Sequence, residues 1–316
     1  MKEKSLYKHT PLIYSHVLSR LTGRNINLKC EALQESGAFK DRGIGALCAY
    51  YAKKGAKGFV SSSGGNAGLA VAYASQILNI PAKVVIPKTT PAMMVKKIMA
   101  ENAQVIITGE NWDAADTVAQ QMAKEEDLAY IPPFNHPVIW QGYASIIEEL
   151  KQDNGKPDAI ILSVGGGGLF CGVVQALHHM GWQDVAIITA ETQGAASFAT
   201  SFKEKKLTRL DKIDTIATTL GAKQICEKAF EWSQKHPVFP QTCTDKAAVT
   251  ACIRFANDHR LLVEPSCGAS LALLYEQRAI LADFQNIVVI VCGGSGVSLS
   301  LLKEWQAQFQ ISPPLF

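Results

Sequence analysis

Ala159-Ile160-Ile161-Leu162-Ser163-Val164-Gly165-Gly166-Gly167-Gly168-Leu169 is an apolar, largely β-branched run that stops at four consecutive glycines. The uncharged stretch continues to Gln183, and Leu169 to Met180 reads as a helix. A membrane span is the wrong reading, because four glycines break the stretch into a strand, a turn and a helix. A loop without Cβ atoms can turn several amide N–H groups toward one point. The helix that follows adds its own free N–H groups and the positive end of its dipole. The stretch predicts a strand–loop–helix unit with a site for a phosphate.

Outward from this unit the same order repeats. Gly58–Val60, Ala82–Ile86, Val105–Thr108, Val185–Ala190 and Ile287–Val291 read as further strands. Helical runs lie among them at Ala67–Leu78, Pro91–Ala100, Ala114–Glu126, Ile139–Gln152, Ala247–Asp258 and Ala269–Leu281. This alternation predicts an α/β fold with mostly parallel sheets flanked by helices. Ligands in such folds sit where strands end and loops lead into helices. Two more loops share that layout, Ser61-Ser62-Ser63-Gly64-Gly65-Asn66 and Cys292-Gly293-Gly294-Ser295-Gly296, which argues for a shared ligand cleft.

The bulk numbers narrow the class. The 316 residues suffice for one large or two ordinary domains, and a composition 47% hydrophobic and 19% charged is that of a folded globular chain. A net charge of +3 without a dense basic block argues against nucleic acid or an anionic membrane as partner. None of the eight cysteines forms a C-x-x-C pair, so a zinc site is not expected. Free thiols and a charged N-terminus without an apolar signal core point to the cytoplasm.

The glycine loop is not a Walker A motif, because Gly172 is followed by Val173 and Val174 instead of Lys-Ser/Thr. It is an imperfect dinucleotide fingerprint. Glu191, about 20 residues on, stands where a ribose-binding acid belongs, so a nicotinamide-dependent oxidoreductase stays open at this point. The hydroxyls, amide and helix start of Ser61–Asn66 suit a carboxylate, although a single N-cap residue would also explain part of that loop. Lys40, beside Asp41 and Arg42, would by itself read as a solvated charge.

Four segments together are more specific. Glu35-Ser36-Gly37-Ala38-Phe39-Lys40-Asp41-Arg42-Gly43 resembles the Schiff-base lysine motif of the fold type II pyridoxal phosphate enzymes. Ser62-Ser63-Gly64-Gly65-Asn66-Ala67-Gly68 resembles their asparagine loop, and Ser163 to Leu169 their phosphate-binding tetraglycine loop. Val291-Cys292-Gly293-Gly294-Ser295 resembles the segment beneath the pyridine nitrogen. The likeness runs from about Thr10 to the C-terminus. Within that family it is greatest to the mammalian-type L-serine dehydratases and L-threonine deaminases.

The resemblance implies a tryptophan synthase β-subunit-like fold, with residues 1–35 and 137–316 in a large domain and 36–136 in a small one. It implies β-elimination of serine or threonine to a 2-oxo acid and ammonia, with Lys40 as both cofactor-holding amine and α-proton base. Gly165, Gly166, Gly167, Gly168 and Leu169 would bind the phosphate, and Asn66 the ring oxygen. Phe39 would lie on one ring face and Cys292 at the ring nitrogen. Ser63, with amides of Gly64, Asn66 and Ala67, would take the substrate carboxylate. The resemblance also implies a monovalent cation, potassium, held by Glu191 and carbonyls of Gly165, Ala195, Leu220 and Ala222, and it implies a homodimer.

Departures from the family pattern are visible. Gly64 stands where the mammalian type carries Ala, which predicts a larger substrate pocket and a looser loop. Thr219 stands where a relative has Ala against the second ring face. Cysteine synthase, threonine synthase and serine racemase chemistry remain alternatives on the same fold. The chain ends too soon after the core for the regulatory domain of the biosynthetic deaminases, so isoleucine control is not expected.

Overall fold

The structure, a computed structural model, describes residues 6–153 and 155–312. Its ten strands are β1 (Leu12–Tyr14), β2 (Asn25–Lys29), β3 (Phe59–Ser61), β4 (Ala82–Ile86), β5 (Gln104–Ile107), β6 (Ala129–Tyr130), β7 (Ala159–Ser163), β8 (Ala186–Thr192), β9 (Val238–Cys243) and β10 (Asn286–Ile290). They form a six-stranded sheet ordered β1-β2-β10-β7-β8-β9 and a four-stranded sheet ordered β5-β4-β3-β6. Only β1 runs antiparallel to its neighbour. The chain divides into two units, one of Gln34–Ser145 with residues 6–9, the other of Thr10–Leu33 with the described residues from Ile146 onward. Against the expected 1–35 with 137–316 and 36–136, contacts group residues 6–9, 34–35 and 137–145 with the smaller unit, so the last crossing lies inside the helix Pro137–Asp153.

In the larger unit, β7 and β8 are buried at every position. Parallel strands covered on both faces read as continuous apolar runs, which is why these two stand out in the sequence. The helix Pro265–Tyr275 packs on both strands and is itself buried along its whole length. It starts at Pro265, whose missing N–H costs nothing in a first turn. The helix expected to run to Leu281 stops at Tyr275, because Gln277 adopts a left-handed φ of 49°. The sequence also concealed β2 and β9. In β2, Asn25 and Lys29 break the apolar pattern. In β9, Pro240 argues against a strand, but β9 is an edge strand and its Pro needs no second partner.

In the smaller unit the helix Trp112–Glu125 lies on the sheet through Ala115 and Ala119, which meet Val60 and Val85. Alanines at the contact let helix and sheet approach closely. Asn111 caps this helix, its Oδ1 accepting the Ala114 N–H at 3.0 Å.

Lys29 is fully buried and tied to three oxygens of the larger unit. Its Nζ lies 2.7 Å from the Thr10 carbonyl, 2.7 Å from Glu149 and 3.2 Å from Asp153. The pair joins the end of β2 to the last turns of the helix Pro137–Asp153. Removing one partner of a buried ion pair leaves the other charge uncompensated. Lys29→Ala is expected to destabilise the larger unit by about 3–5 kcal/mol in urea unfolding, and Lys29→Met combined with Glu149→Leu to recover most of that loss.

Candidate active site

β10 pairs with β7 in parallel, with Val289 opposite Ile161, so the loops that follow the two strands leave the sheet side by side. One is Gly165–Gly168, the other Cys292–Gly296. Gly167 adopts φ +91°, and a Cβ there would lie 2.5 Å from the Ala229 Cβ. The Gly166 carbonyl accepts the Cys226 N–H at 3.0 Å. A Cβ on Gly165 would meet the Thr219 carbonyl at 3.1 Å and the Leu220 Cα at 3.3 Å. The loop therefore needs glycine for conformation and for close approach. It opens the helix Gly168–His179, whose cap residue Gly167 offers no side chain to the first amides. Those amides and the dipole behind them favour an anion.

Cys292 is 7% exposed. Its thiol donates to the Ile290 carbonyl at 3.5 Å and accepts the Ser163 backbone N–H. Burial pushes the thiol pKa up to about 12; the Ser163 N–H opposes this, and the nearby carboxylates of Glu31 and Glu264 add to it. Cys292 is thus a neutral thiol across the physiological range. The Ser163 and Ser270 hydroxyls meet at 2.6 Å.

Glu191 is the penultimate residue of β8 and is fully buried. Its two oxygens accept the N–H groups of Phe198 and Ala199, each at 2.8 Å. Burial raises its pKa to about 8 against the pull of those two amides. Both oxygens thus face backbone amides inside the fold instead of standing free at the strand end, where the dinucleotide reading needs the acid. Leu220 packs against Gly165 and its carbonyl accepts the Ala222 N–H at 2.7 Å. Ala195 is buried in the turn after β8. Among the described residues, no three His, Cys, Asp or Glu side chains are grouped to hold a metal ion.

The smaller unit carries the other expected residues. Lys40 opens the helix Lys40–Lys53, with Phe39 at the cap position. Its Nζ donates to the Pro133 carbonyl at 2.6 Å and stands 5.1 Å from the Phe39 ring centroid. Lys40 and Phe39 are half-buried. The neighbours that suggested solvated charge are in fact buried. Asp41 accepts the Ser36 N–H at 2.9 Å, and Arg42 donates to Ser145 at 3.0 Å and stacks over Tyr7.

The helix Lys40–Lys53 packs on the helix Asn66–Leu78, whose start is the second loop of interest. Gly65 occupies its cap position with no side-chain cap. The loop hydroxyls are therefore not spent on capping; Ser63 Oγ accepts only the Gly65 N–H at 3.3 Å among the bonds of that turn. Asn66 and Ala67 are buried. Ser62 is held from below by Asp116, 2.5 Å away, which also accepts the Tyr130 hydroxyl. Asp116 had no signal in the sequence, since its helix position looks like an ordinary surface acid.

Residues 4–293 match the family described as pyridoxal-phosphate dependent enzyme. The chain belongs to this family. It is 44% identical over 320 residues to the L-serine dehydratase/L-threonine deaminase of Mus musculus, covering 98% of each chain. It is 43% identical to the L-serine dehydratase of Dictyostelium discoideum, covering 95% of this chain and 91% of the relative. A crystal structure of a fungal L-serine ammonia-lyase from Rhizomucor miehei matches with a TM-score of 0.92 and 38% identity, over 97% of this chain and 100% of the other.

The residues present fit the family's cofactor. A glycine cradle at a helix start suits its phosphate, an amine at Lys40 suits its aldehyde, and a neutral thiol at Cys292 tolerates an uncharged ring nitrogen. One expectation needs correction. The methyl missing at Gly64 does not simply enlarge the site, because a Cβ there would lie 2.5 Å from Thr90 Oγ1 and 2.7 Å from Thr90 Cγ2. Thr90 already fills that space. Gly64→Ala is therefore expected to destabilise the smaller unit by about 1–3 kcal/mol, as overpacking does. Adding Thr90→Ala should restore most of the melting temperature. A single Gly64→Ala variant that melts like the parent would show that Thr90 does not occupy the space.

Proposed function

We propose that this chain catalyses pyridoxal phosphate-dependent β-elimination of L-serine and L-threonine, yielding pyruvate or 2-oxobutyrate and ammonia. The observation that carries the reading is the neutral Cys292 thiol, in a chain that retains Lys40, Asn66 and the tetraglycine loop and resembles serine dehydratases over nearly its whole length.

Pyridoxal phosphate, when bound, supplies an aldehyde for linkage to an amine and a ring that accepts electron density released at the substrate Cα. Amides of Gly165, Gly166, Gly167, Gly168 and Leu169 hold its phosphate. Asn66 donates to its ring oxygen, and Phe39 covers one ring face. Lys40 provides the amine that retains it. The Pro133 carbonyl takes one N–H and so orients the lone pair. Lys40 Nζ would also be the general base that takes the substrate Cα proton. Ser63 and the amides of Gly64, Asn66 and Ala67 hold the substrate carboxylate. Cys292 brings no negative charge to the ring nitrogen, so charge left at Cα is weakly stabilised. Departure of the β-hydroxyl then keeps pace with proton removal, which favours elimination over racemisation or transamination.

Potassium completes the proposed site, held by Glu191 and the carbonyls of Gly165, Ala195, Leu220 and Ala222, where it stiffens the tetraglycine loop. Eight free, buried thiols support a cytoplasmic setting. No described helix is long and apolar enough to cross a membrane. The homodimer is carried by the resemblance alone.

Release of pyruvate from serine and of 2-oxobutyrate from threonine tests the activity directly. Lys40→Ala should lose at least about 10²-fold in kcat, the low end of what a positioned base contributes. A Lys40→Ala variant with full rate would overturn the mechanism.

Glu191 gives a test of the cation that needs no turnover. Its pKa in the fold, about 8, lies above its ordinary 4.5. Between those values the folded chain keeps a proton that the unfolded chain has released, so stability falls as pH rises from about 5 to about 8. A cation at Glu191 favours the ionised carboxylate and flattens that fall. The melting temperature should therefore drop more steeply with pH in a large organic cation buffer than in potassium, and equal slopes would count against a cation at Glu191.

A further inference from the structure

Thr219 has no role in the reading above. It lies in the single turn Thr218–Leu220, exposed, beside the two glycine loops of the larger unit. On one side its carbonyl abuts Gly165, where a Cβ would come to 3.1 Å. On the other its hydroxyl meets the Glu264 carboxylate and lies 2.5 Å from the Ser266 hydroxyl. A hydroxyl has one proton and two lone pairs, so Thr219 donates to the carboxylate and accepts from Ser266.

Glu264 is 5% exposed and lies flat on the Cys292–Gly296 loop. Its Oε2 is 3.3 Å from the Gly296 N–H, and its own N–H points to the Gly293 carbonyl at 3.4 Å. Gly294, at φ +120°, has no room for a Cβ because the Glu264 side chain fills that space. The Glu264 carboxylate is thus the surface that shapes the loop beyond Cys292, and Thr219 is a group that holds it there. Thr219 thus touches the Gly165 loop through its carbonyl and the loop after Cys292, by way of Glu264, through its hydroxyl. A methyl group at this position could fill the space but could not orient a carboxylate.

We propose that Thr219 is a positioning residue that acts through Glu264, fixing the Cys292–Gly296 loop relative to the Gly165–Gly168 loop so that both ends of the cofactor meet preformed partners. This rests on the assignment of those loops to pyridoxal phosphate. The two loops bracket the cofactor's phosphate and ring nitrogen, so loosening one against the other weakens binding before it alters any chemical step.

The test is titration of the apoprotein with pyridoxal phosphate, followed by cofactor absorption, for the parent and for Thr219→Val, Thr219→Ser and Glu264→Gln. Thr219→Val keeps the shape and removes the hydroxyl. It should weaken binding about tenfold, the size of a lost hydrogen bond to a charged group. Thr219→Ser should stay within about twofold of the parent, since the hydroxyl is what matters. In a Glu264→Gln background the Thr219→Val loss should shrink to about twofold or less, because residues acting through one network are not additive. Unchanged melting of the apoprotein separates this from a folding defect. A Thr219→Val protein that binds the cofactor like the parent, or a full tenfold loss in the Glu264→Gln background, overturns the proposal. If the parent chain takes up no pyridoxal phosphate, it is the assignment of the loops that falls.

Discussion

The parallel pairing of β10 with β7 is the constraint on which the larger unit's chemistry depends. Two strands that are distant in sequence end at the same edge of one sheet. Each is followed by a glycine-rich loop, so at this edge the backbone itself is the surface presented. Parallel strands cannot be joined by a tight turn, and the long connections between them are what supply the helices on either face. The dense apolar character of β7, β8 and the helix Pro265–Tyr275 follows from that burial. This rigidity lets loops without side chains hold their shape. A loop such as Gly165–Gly168 has little to fix it except its neighbours, and here those are Thr219, Leu220, Cys226 and Ala229.

Charge is placed sparingly around this frame. Lys29 is buried but surrounded by acceptors. Glu191 is buried with amides at both oxygens and is raised toward the neutral form all the same. Cys292 is held neutral by burial, with nearby carboxylates working in the same direction. The common result is a region in which few fixed charges survive without a partner. In such surroundings the proposed phosphate would meet backbone dipoles instead of a cationic side chain. Dipoles of that kind are already oriented by the fold, so they need no rearrangement when an anion arrives.

The sequence was most legible where periodicity and conformation agree. Buried parallel strands announce themselves as apolar runs, and the tetraglycine loop by its composition, so the α/β fold and a glycine-built turn between β7 and the next helix could be read directly. Short or polar elements could not. β1 is three residues long, β2 carries only Ile26 and Leu28 between Asn25, Asn27 and Lys29, and β9 contains Pro240. The helix Lys40–Lys53 was missed because Gly43, Gly45 and a run of charges obscure its period. Lys40 itself looks like any surface lysine; only the resemblance singled it out. Asp116, Thr90 and Glu264 matter through contacts across the fold, with 54, 26 and 45 positions separating them from Ser62, Gly64 and Thr219. No local pattern can register such contacts.

Those long-range contacts also change how departures from the family pattern are to be understood. A glycine in place of alanine at position 64 suggests, by itself, lost packing and a wider site. Yet Thr90 has its hydroxyl and methyl where the missing methyl would lie. A threonine in place of alanine at position 219 suggests crowding, yet its hydroxyl finds Glu264 and Ser266. In both cases the substituted position and its neighbour make one packed arrangement, and neither has a fixed meaning alone. Interiors packed at crystal-like density force this, because volume added or removed at one atom must be answered by the atoms that touch it. A residue-by-residue transfer of roles therefore holds best where the contact is to backbone, as in Gly165–Gly168, since backbone does not change with sequence. It holds least where one side chain shapes another, which is where this chain has diverged.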